Sequence, residues 1–460
     1  MTFTPGSPSP ATTADRLSRT FGRRRFLQIA SALGAVGATG AATGLTACGQ
    51  DAPGAAASPG TASGTASGGA SGEILQPGTG SLQADHYLPS EVDKVLWGYL
   101  PSTDSEPVLR MRSGQTVTVD TVSHEGIMED QGRDPDAWFG EQGVDRAEVL
   151  DDARDIAANY DRTPRDFDKD GPHVVTGPIF VGGAEPGDGH KVATLEPALP
   201  VPNGVVSRRP GKGALRQLPD GGAPDGISLD EVMPPVGADG TGGNVSVFTR
   251  AHDGRGVMTS GELELSFPLR PFMGMMGVAT TDGGGPTDDS RNSIPPTLGG
   301  GNIDIRHLAV GSALYLPVFA DGALFYTGDP HHGMGDGEVA LTAMEGSLRT
   351  TFRLTVCKKG DHSTPSVAFS YPFGETGDAW IPIGLSDPDG LVNGSDRDLN
   401  VAMRRAVVNA LDFLETDLGI ERAVAYAYLS AASDFALSQV VDITTGVHGL
   451  IYKDGLPALG

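Results

Sequence analysis

Short runs of alternating apolar and polar residues, each cut off by glycine or proline, constrain this chain more than any other feature. In residues 116–122, Val117, Val119 and Val122 are interleaved with threonine and aspartate. That is the period-two pattern of a strand half-buried on a sheet. Similar runs occupy residues 108–111, 174–181, 262–267 and 348–356. The 66 glycines and 34 prolines among 460 residues leave little uninterrupted length for helices, so the pattern predicts a mainly β fold. One segment departs from it. In residues 400–418, Met403, Val407, Leu411, Leu414 and Leu418 recur at three- and four-residue spacing, and Gly419 supplies a C-terminal stop. A second helix is expected over 421–432, then strands over 439–444 and 446–452. Together they form a C-terminal α+β layer containing two helices.

The N-terminus reads as an address. Arg23-Arg24-Arg25-Phe26-Leu27-Gln28 fits a twin-arginine export signal, and Leu45-Thr46-Ala47-Cys48 fits a lipoprotein cleavage box. Residues 1–47 are therefore expected to be a signal, with Cys48 becoming a lipidated N-terminus. The apolar run before Cys48 is short and weakly hydrophobic for a membrane span. Residues 48–82, rich in Gly, Ala, Ser and Pro, read as a flexible tether, and 83–460 as the folded part. The expected location is extracytoplasmic, with the membrane touched only through the lipid anchor. Acylation of Cys48 leaves Cys357 alone, so no internal disulfide is expected, and Cys357 reads as a small strand residue. The net charge of −25 argues against nucleic-acid and anionic-lipid partners. It suits neutral or cationic small molecules and divalent cations.

Acids and imidazoles are densest in residues 299–345. Strand-like runs over 312–319 and 323–326 flank a turn at Asp321-Gly322. A glycine-rich loop is expected next, carrying Asp329, His331, His332, Asp336 and Glu338, while Asp304 and His307 lie upstream. A solvated Gly/Asp turn is the plainer reading of such a loop. His124 and Glu125 end the 116–122 run, and Glu185 and Asp188 follow the 174–181 run. Strand-end loops gather functional groups from distant sequence. Imidazole with carboxylate suits zinc or another first-row divalent ion, whereas oxygen ligands alone would suit calcium. The metal ligands expected are Asp304, His331, Glu338 and His124. The charged stretch 130–170 reads as a solvated excursion with a short helix around 146–159. Its DFDKDG run lacks the closing glutamate of a calcium loop.

GGNID, LYLPVF, GALF, GDPH and GDGEV follow one another within 299–345 in an order and spacing that resemble the acetamidase/formamidase family. HVVTGPIFVGGAEPGD at 173–188, YLSAASDFALSQVVD and GVHGLI extend the resemblance from about residue 95 to 451. It implies a sandwich-like β core over about 95–375, with the α+β part over 376–460. It also implies self-association and hydrolysis of a short linear amide to carboxylate and ammonia. The expected catalytic residues are Glu338, Asp336 and His331, with Glu185 and Asp188 toward substrate and a divalent metal, zinc foremost, as cofactor. Which carboxylate is ligand and which is acid/base stays open. His332 departs from the small residue the family carries there and reads as a neighbour of the site. The chain has no Gly-x-Ser-x-Gly elbow, and neither GGG run is followed by Gly-Lys-Ser/Thr. Two rival readings remain: an exported solute-binding lipoprotein that keeps the fold without the chemistry, and a metal-stabilised structural module.

Overall fold

The computed structural model describes residues 73–215, 243–281, 283–285, 291–360, 362–387 and 397–459. The export signal, Cys48 and most of the tether lie outside the described residues.

Two large sheets carry the fold. The nine-stranded sheet runs, edge to edge, His86–Leu88, Thr116–Thr121, Leu348–Cys357, Gly189–Ala198, Ala313–Pro317, Phe373–Glu375, Ala379–Leu385, Gly446–Tyr452 and Ser433–Gln439. The eleven-stranded sheet is built around Phe325–Gly333, which pairs antiparallel with Phe272–Val278, Met344–Glu345 and Val174–Gly182. Its far edge is the meander Val245–His252, Arg255–Ser260 and Leu263–Pro268. One apolar core joins both sheets: Val117, Leu314 and Phe352 from the first pack with Ile179, Met273 and Phe325 from the second. Two helices, Leu399–Thr416 and Arg422–Ala432, cover part of the nine-stranded sheet. The mainly β class and the C-terminal helical layer are as expected.

Several local expectations change. Strand Thr116–Thr121 is covered on both faces, because Asp120 on its polar side meets Arg349 at 2.6 and 2.9 Å, and Tyr87 lies over the pair. In helix Leu399–Thr416 the buried face is Ala402, Ala406, Ala410, Phe413 and Leu414, while Met403 is exposed. A glycine is needed at 384, since a Cβ there would collide with the helix backbone at Ala402 and Ala406. Stretch 130–170 is not a solvated excursion. It adds a helix, Pro135–Glu141, and packs Leu150, Ile156 and Tyr160 against Trp97, Ile127 and Val174. Beyond Gln439, which ends a strand, residues 440–444 bend instead of extending it, because the Gln439 side chain accepts from Val441 N and Asp442 N (2.9 and 3.0 Å) and donates to Thr444 O (2.7 Å). Residues 323–324 belong to a turn, with left-handed backbone at both. Asp329, His331 and His332 lie inside strand Phe325–Gly333, every residue of which is buried, instead of in a loop.

Candidate active site

Strand alternation puts Asp329 and His331 on one face of Phe325–Gly333. Opposite them, Phe272 registers with His331 and Met275 with Gly328, so Gly274 lies between these pairs. A side chain at Gly274 would collide with Asp304 Oδ1, Asp329 Oδ2 and the His331 ring. The missing Cβ is what makes room for the cluster. On the other side Glu345 is the direct cross-strand partner of His331. Asp304 enters from the segment after Gly300–Asn302, its N–H donating to Gly274 O at 3.2 Å. Glu338 comes from the loop after Phe325–Gly333, and Asp442 from the turn built by Gln439.

Asp304, Asp329, Asp442, Glu338, Glu345, His331, His124 and His173 join through four overlapping ligand groups, each with its ligand atoms within 4.8 Å of one another. His331 Nε2 lies 3.0 Å from Asp329 Oδ2, 3.1 Å from Glu345 Oε1 and 3.9 Å from Glu338 Oε1. His331 Nδ1 lies 3.9 Å from Asp304 Oδ1. Asp329 Oδ1 reaches back to His173 Nε2 at 3.5 Å and His124 Nδ1 at 3.9 Å. All eight residues are buried. Asp304, Asp329 and Glu338 hold positive φ of 46°, 52° and 46°. Each such backbone costs about 1–3 kcal/mol in a non-glycine residue, and such strain gathers where function over-determines geometry.

The electrostatics show what the cluster lacks. Burial, with the charges of Glu338, Asp442 and Asp329, holds the Asp304 carboxyl well above the usual carboxylate range. Burial and Asp442 do the same for Glu338, and burial with Asp329 pushes Asp442 up to about 8. Against the cost of burial, the Glu345 and Asp329 charges raise His331 well above its ordinary value. Against the same cost, His331 and His173 hold Asp329 low. Burial lowers His173 to about 4. Five carboxylates cannot all ionise here without added positive charge. Both Asp304 oxygens, Asp329 Oδ1, Glu345 Oε2, Asp442 Oδ2, His331 Nδ1 and both nitrogens of His124 have no hydrogen-bond partner. Buried polar atoms are nearly always satisfied. Unmatched imidazole and carboxylate donors converging in one place fit a first-row divalent cation.

Of the residues predicted from sequence, Asp304, His331, Glu338 and His124 are brought together. Asp336 is not: it is clasped by Arg306 at 2.8 and 2.9 Å, outside the buried cluster. Glu185 and Asp188 pair with Lys358 at 3.2 and 2.7 Å and share no ligand group with His331. His332 places Nε2 3.1 Å from Ser347 O and belongs to none of the groups. Glu125 faces His124 Nε2 at 3.4 Å and Arg209 at 3.2 Å. Sequence reasoning missed Glu345, Asp442, His173 and Gly274 as site residues. Glu345, Asp442 and His173 stand within or at the ends of the blocks that carry the family resemblance, which was the available signal.

Residues 273–452 match the model of the Acetamidase/Formamidase family. An acetamidase of Mycolicibacterium smegmatis is 30% identical over 138 residues, 28% of this chain and 33% of that protein. A formamidase of Methylophilus methylotrophus is 29% identical over 161 residues, 34% of this chain and 39% of that protein. The aligned part is thus well under two thirds of either relative. The crystal structure of an acetamidase from Bacillus halodurans superimposes with a TM-score of 0.56 at 22% identity, covering 81% of this chain and 100% of that one. For an acetamidase from Yersinia enterocolitica the score is 0.58 at 24% identity, covering 81% and 93%. Residues 273–452, which contain Asp304, Asp329, His331, Glu338, Glu345 and Asp442, are thus the part of the chain similar to the acetamidase/formamidase family, and the chain shares the fold of the solved acetamidases.

Proposed function

We propose that this chain hydrolyses a short linear amide, of the formamide or acetamide type, to carboxylate and ammonia. The observation that carries the reading is the buried cluster of five carboxylates and three imidazoles whose donor atoms converge without partners. Asp304, Asp329, His331 and Glu345 would hold a divalent cation, zinc being the best match to this donor set, with His124 on the far side of Asp329. Such a cation supplies Lewis acidity toward a carbonyl oxygen and lowers the pKa of water. The protein's own groups account for the proton traffic. A carboxylate of the cluster not engaged by the cation, Glu338 foremost, would pass a proton to the departing nitrogen. A pocket of ≈ 30 Å³ reaches Glu345 and Glu125 and is walled by Phe139, Val149, Leu150 and Val205. These apolar walls suit an aliphatic acyl group.

The proposal extends to twin-arginine export and lipidation at Cys48, supported by the Arg23-Arg24-Arg25 and Leu45–Cys48 motifs. It extends also to self-association, supported by Leu263 and Leu265, 67% and 56% exposed, on the edge strand of the eleven-stranded sheet. Metal content and ammonia release over a panel of short amides, for wild type, His331→Ala and Glu338→Gln, test the central reading. Stoichiometric metal with turnover lost in both variants supports it. Metal without turnover on any amide would leave a binding protein, and no metal would remove the mechanism.

A further inference from the structure

A second group of ligand-type side chains stands apart from the buried cluster and shares no residue with it. His307, Asp336 and His448 each offer one atom, and the three atoms lie within 4.8 Å of one another. They come from distant parts of the chain: His307 from the segment after strand Gly300–Asn302, Asp336 from the loop after Phe325–Gly333, and His448 from strand Gly446–Tyr452.

Three features distinguish this group from a chance meeting of polar residues. His448 is fully buried. Its Nδ1 lies 2.9 Å from Ser438 Oγ, while its Nε2 has no partner. Tying one ring nitrogen of a histidine to a hydroxyl fixes the ring and leaves the other nitrogen for a ligand, the usual support of a metal-binding imidazole. The His307 ring stands edge-on to it, centroids 5.2 Å apart at 61°. Asp336 is held by Arg306, Nε to Oδ1 at 2.9 Å and Nη2 to Oδ2 at 2.8 Å. That clasp orients the carboxylate without exhausting it, because each oxygen keeps a further lone pair.

We infer that His307, Asp336 and His448 form a second site, open to solvent, for a first-row divalent transition metal. Two imidazoles and one carboxylate suit zinc, nickel or cobalt, and fit calcium or magnesium poorly. The Asp336 side chain is 26% exposed and His307 is half-buried, so water can complete the coordination. The site has a structural consequence. Gly337 N donates to Ser438 O at 3.0 Å, and Val440 N donates to Gly337 O at 3.2 Å. The loop carrying Glu338 is thus already stitched to the strand beside His448, and a cation at Asp336 would lock it there.

The inference does not rest on the amidase reading, and its test reads metal rather than turnover. The untagged full chain is stripped with EDTA and titrated with Co²⁺, followed by visible absorbance, and with Zn²⁺ by equilibrium dialysis. Wild type, His307→Gln, His448→Asn, Ser438→Ala and Asp304→Asn are compared. The expected result is one Co²⁺ equivalent and its absorbance band lost in His307→Gln and in His448→Asn but retained in Asp304→Asn. Ser438→Ala should weaken that site by about 10–100-fold, the usual effect of removing an outer partner. Should His448→Asn fail to fold, the half-buried His307→Gln decides alone. Unchanged stoichiometry and affinity in His307→Gln, with ions lost only in Asp304→Asn, would overturn the inference and assign all binding to the buried cluster.

Discussion

The two ligand clusters sit close in sequence yet solve opposite problems. Asp304 and His307 are three positions apart, and Asp336 and Glu338 are two apart; each pair sends one member to each cluster. The inner cluster is sealed, with five carboxylates facing three imidazoles and many atoms unmatched. The outer one reaches water and has its carboxylate already neutralised by Arg306. A buried unpaired charge is costly, whereas a half-exposed ion pair contributes little. The inner cluster therefore has its protonation and its fit for a cation set by burial, and the outer one by local pairing. His190 offers a third case. It is buried with neither nitrogen paired and with no charge nearby, and burial alone lowers it to about 4. His331, equally buried, is raised because carboxylates surround it.

These contrasts can be broken in order of size. Asp304→Asn should remove the inner metal and abolish ammonia release, checked by metal analysis and single-turnover assays; full activity in this variant would dissolve the inner cluster as a site. Glu338→Gln should keep the fold and lower kcat by roughly 10²–10⁴-fold, the span of a general acid–base contribution. His190→Leu addresses the histidine comparison. A histidine whose folded pKa is depressed gives a folded state that binds fewer protons than the unfolded one. Its stability contribution is therefore complete above about 6.5 and is lost as pH falls toward about 4. The loss is at most ~3 kcal/mol at about 1.4 kcal/mol per pH unit. The variant should flatten that decline in denaturant titrations at pH 4.5 and 7.5; parallel curves for the two proteins would contradict it. Last, Gly274→Ala should cost about 1–3 kcal/mol as an overpacked site and displace the inner metal. Gly335→Ala, with open space around it, should be near neutral in thermal melts.

Much of this was legible from residues alone. Period-two alternation between breakers gave the mainly β class, and the Asn400 segment gave a helix. Gly419, at φ 67°, does close it: its N–H donates to Glu415 O at 3.1 Å. Ligand-type residues were legible as well, because Asp304, His331 and Glu338 crowd together among glycines. Placement within strands was less so. Asp329 and His331 looked like loop residues because glycine and proline surround them. The structure makes Phe325–Gly333 a strand buried along its whole length, where Gly328 lies close against Val174 and Gly274 leaves room for the acids.

Sequence by itself determined which residue types could bind a cation, the strand-rich architecture and the two C-terminal helices, since these follow from side-chain chemistry and local periodicity. Only the tertiary structure decided which acids meet. Glu345 reaches His331 through cross-strand register, and Asp442 arrives on a turn shaped by one glutamine side chain. Asp336, two residues from Glu338, is drawn away by Arg306. Register and long-range pairing belong to no single stretch of chain, and they separate an inner site from an outer one.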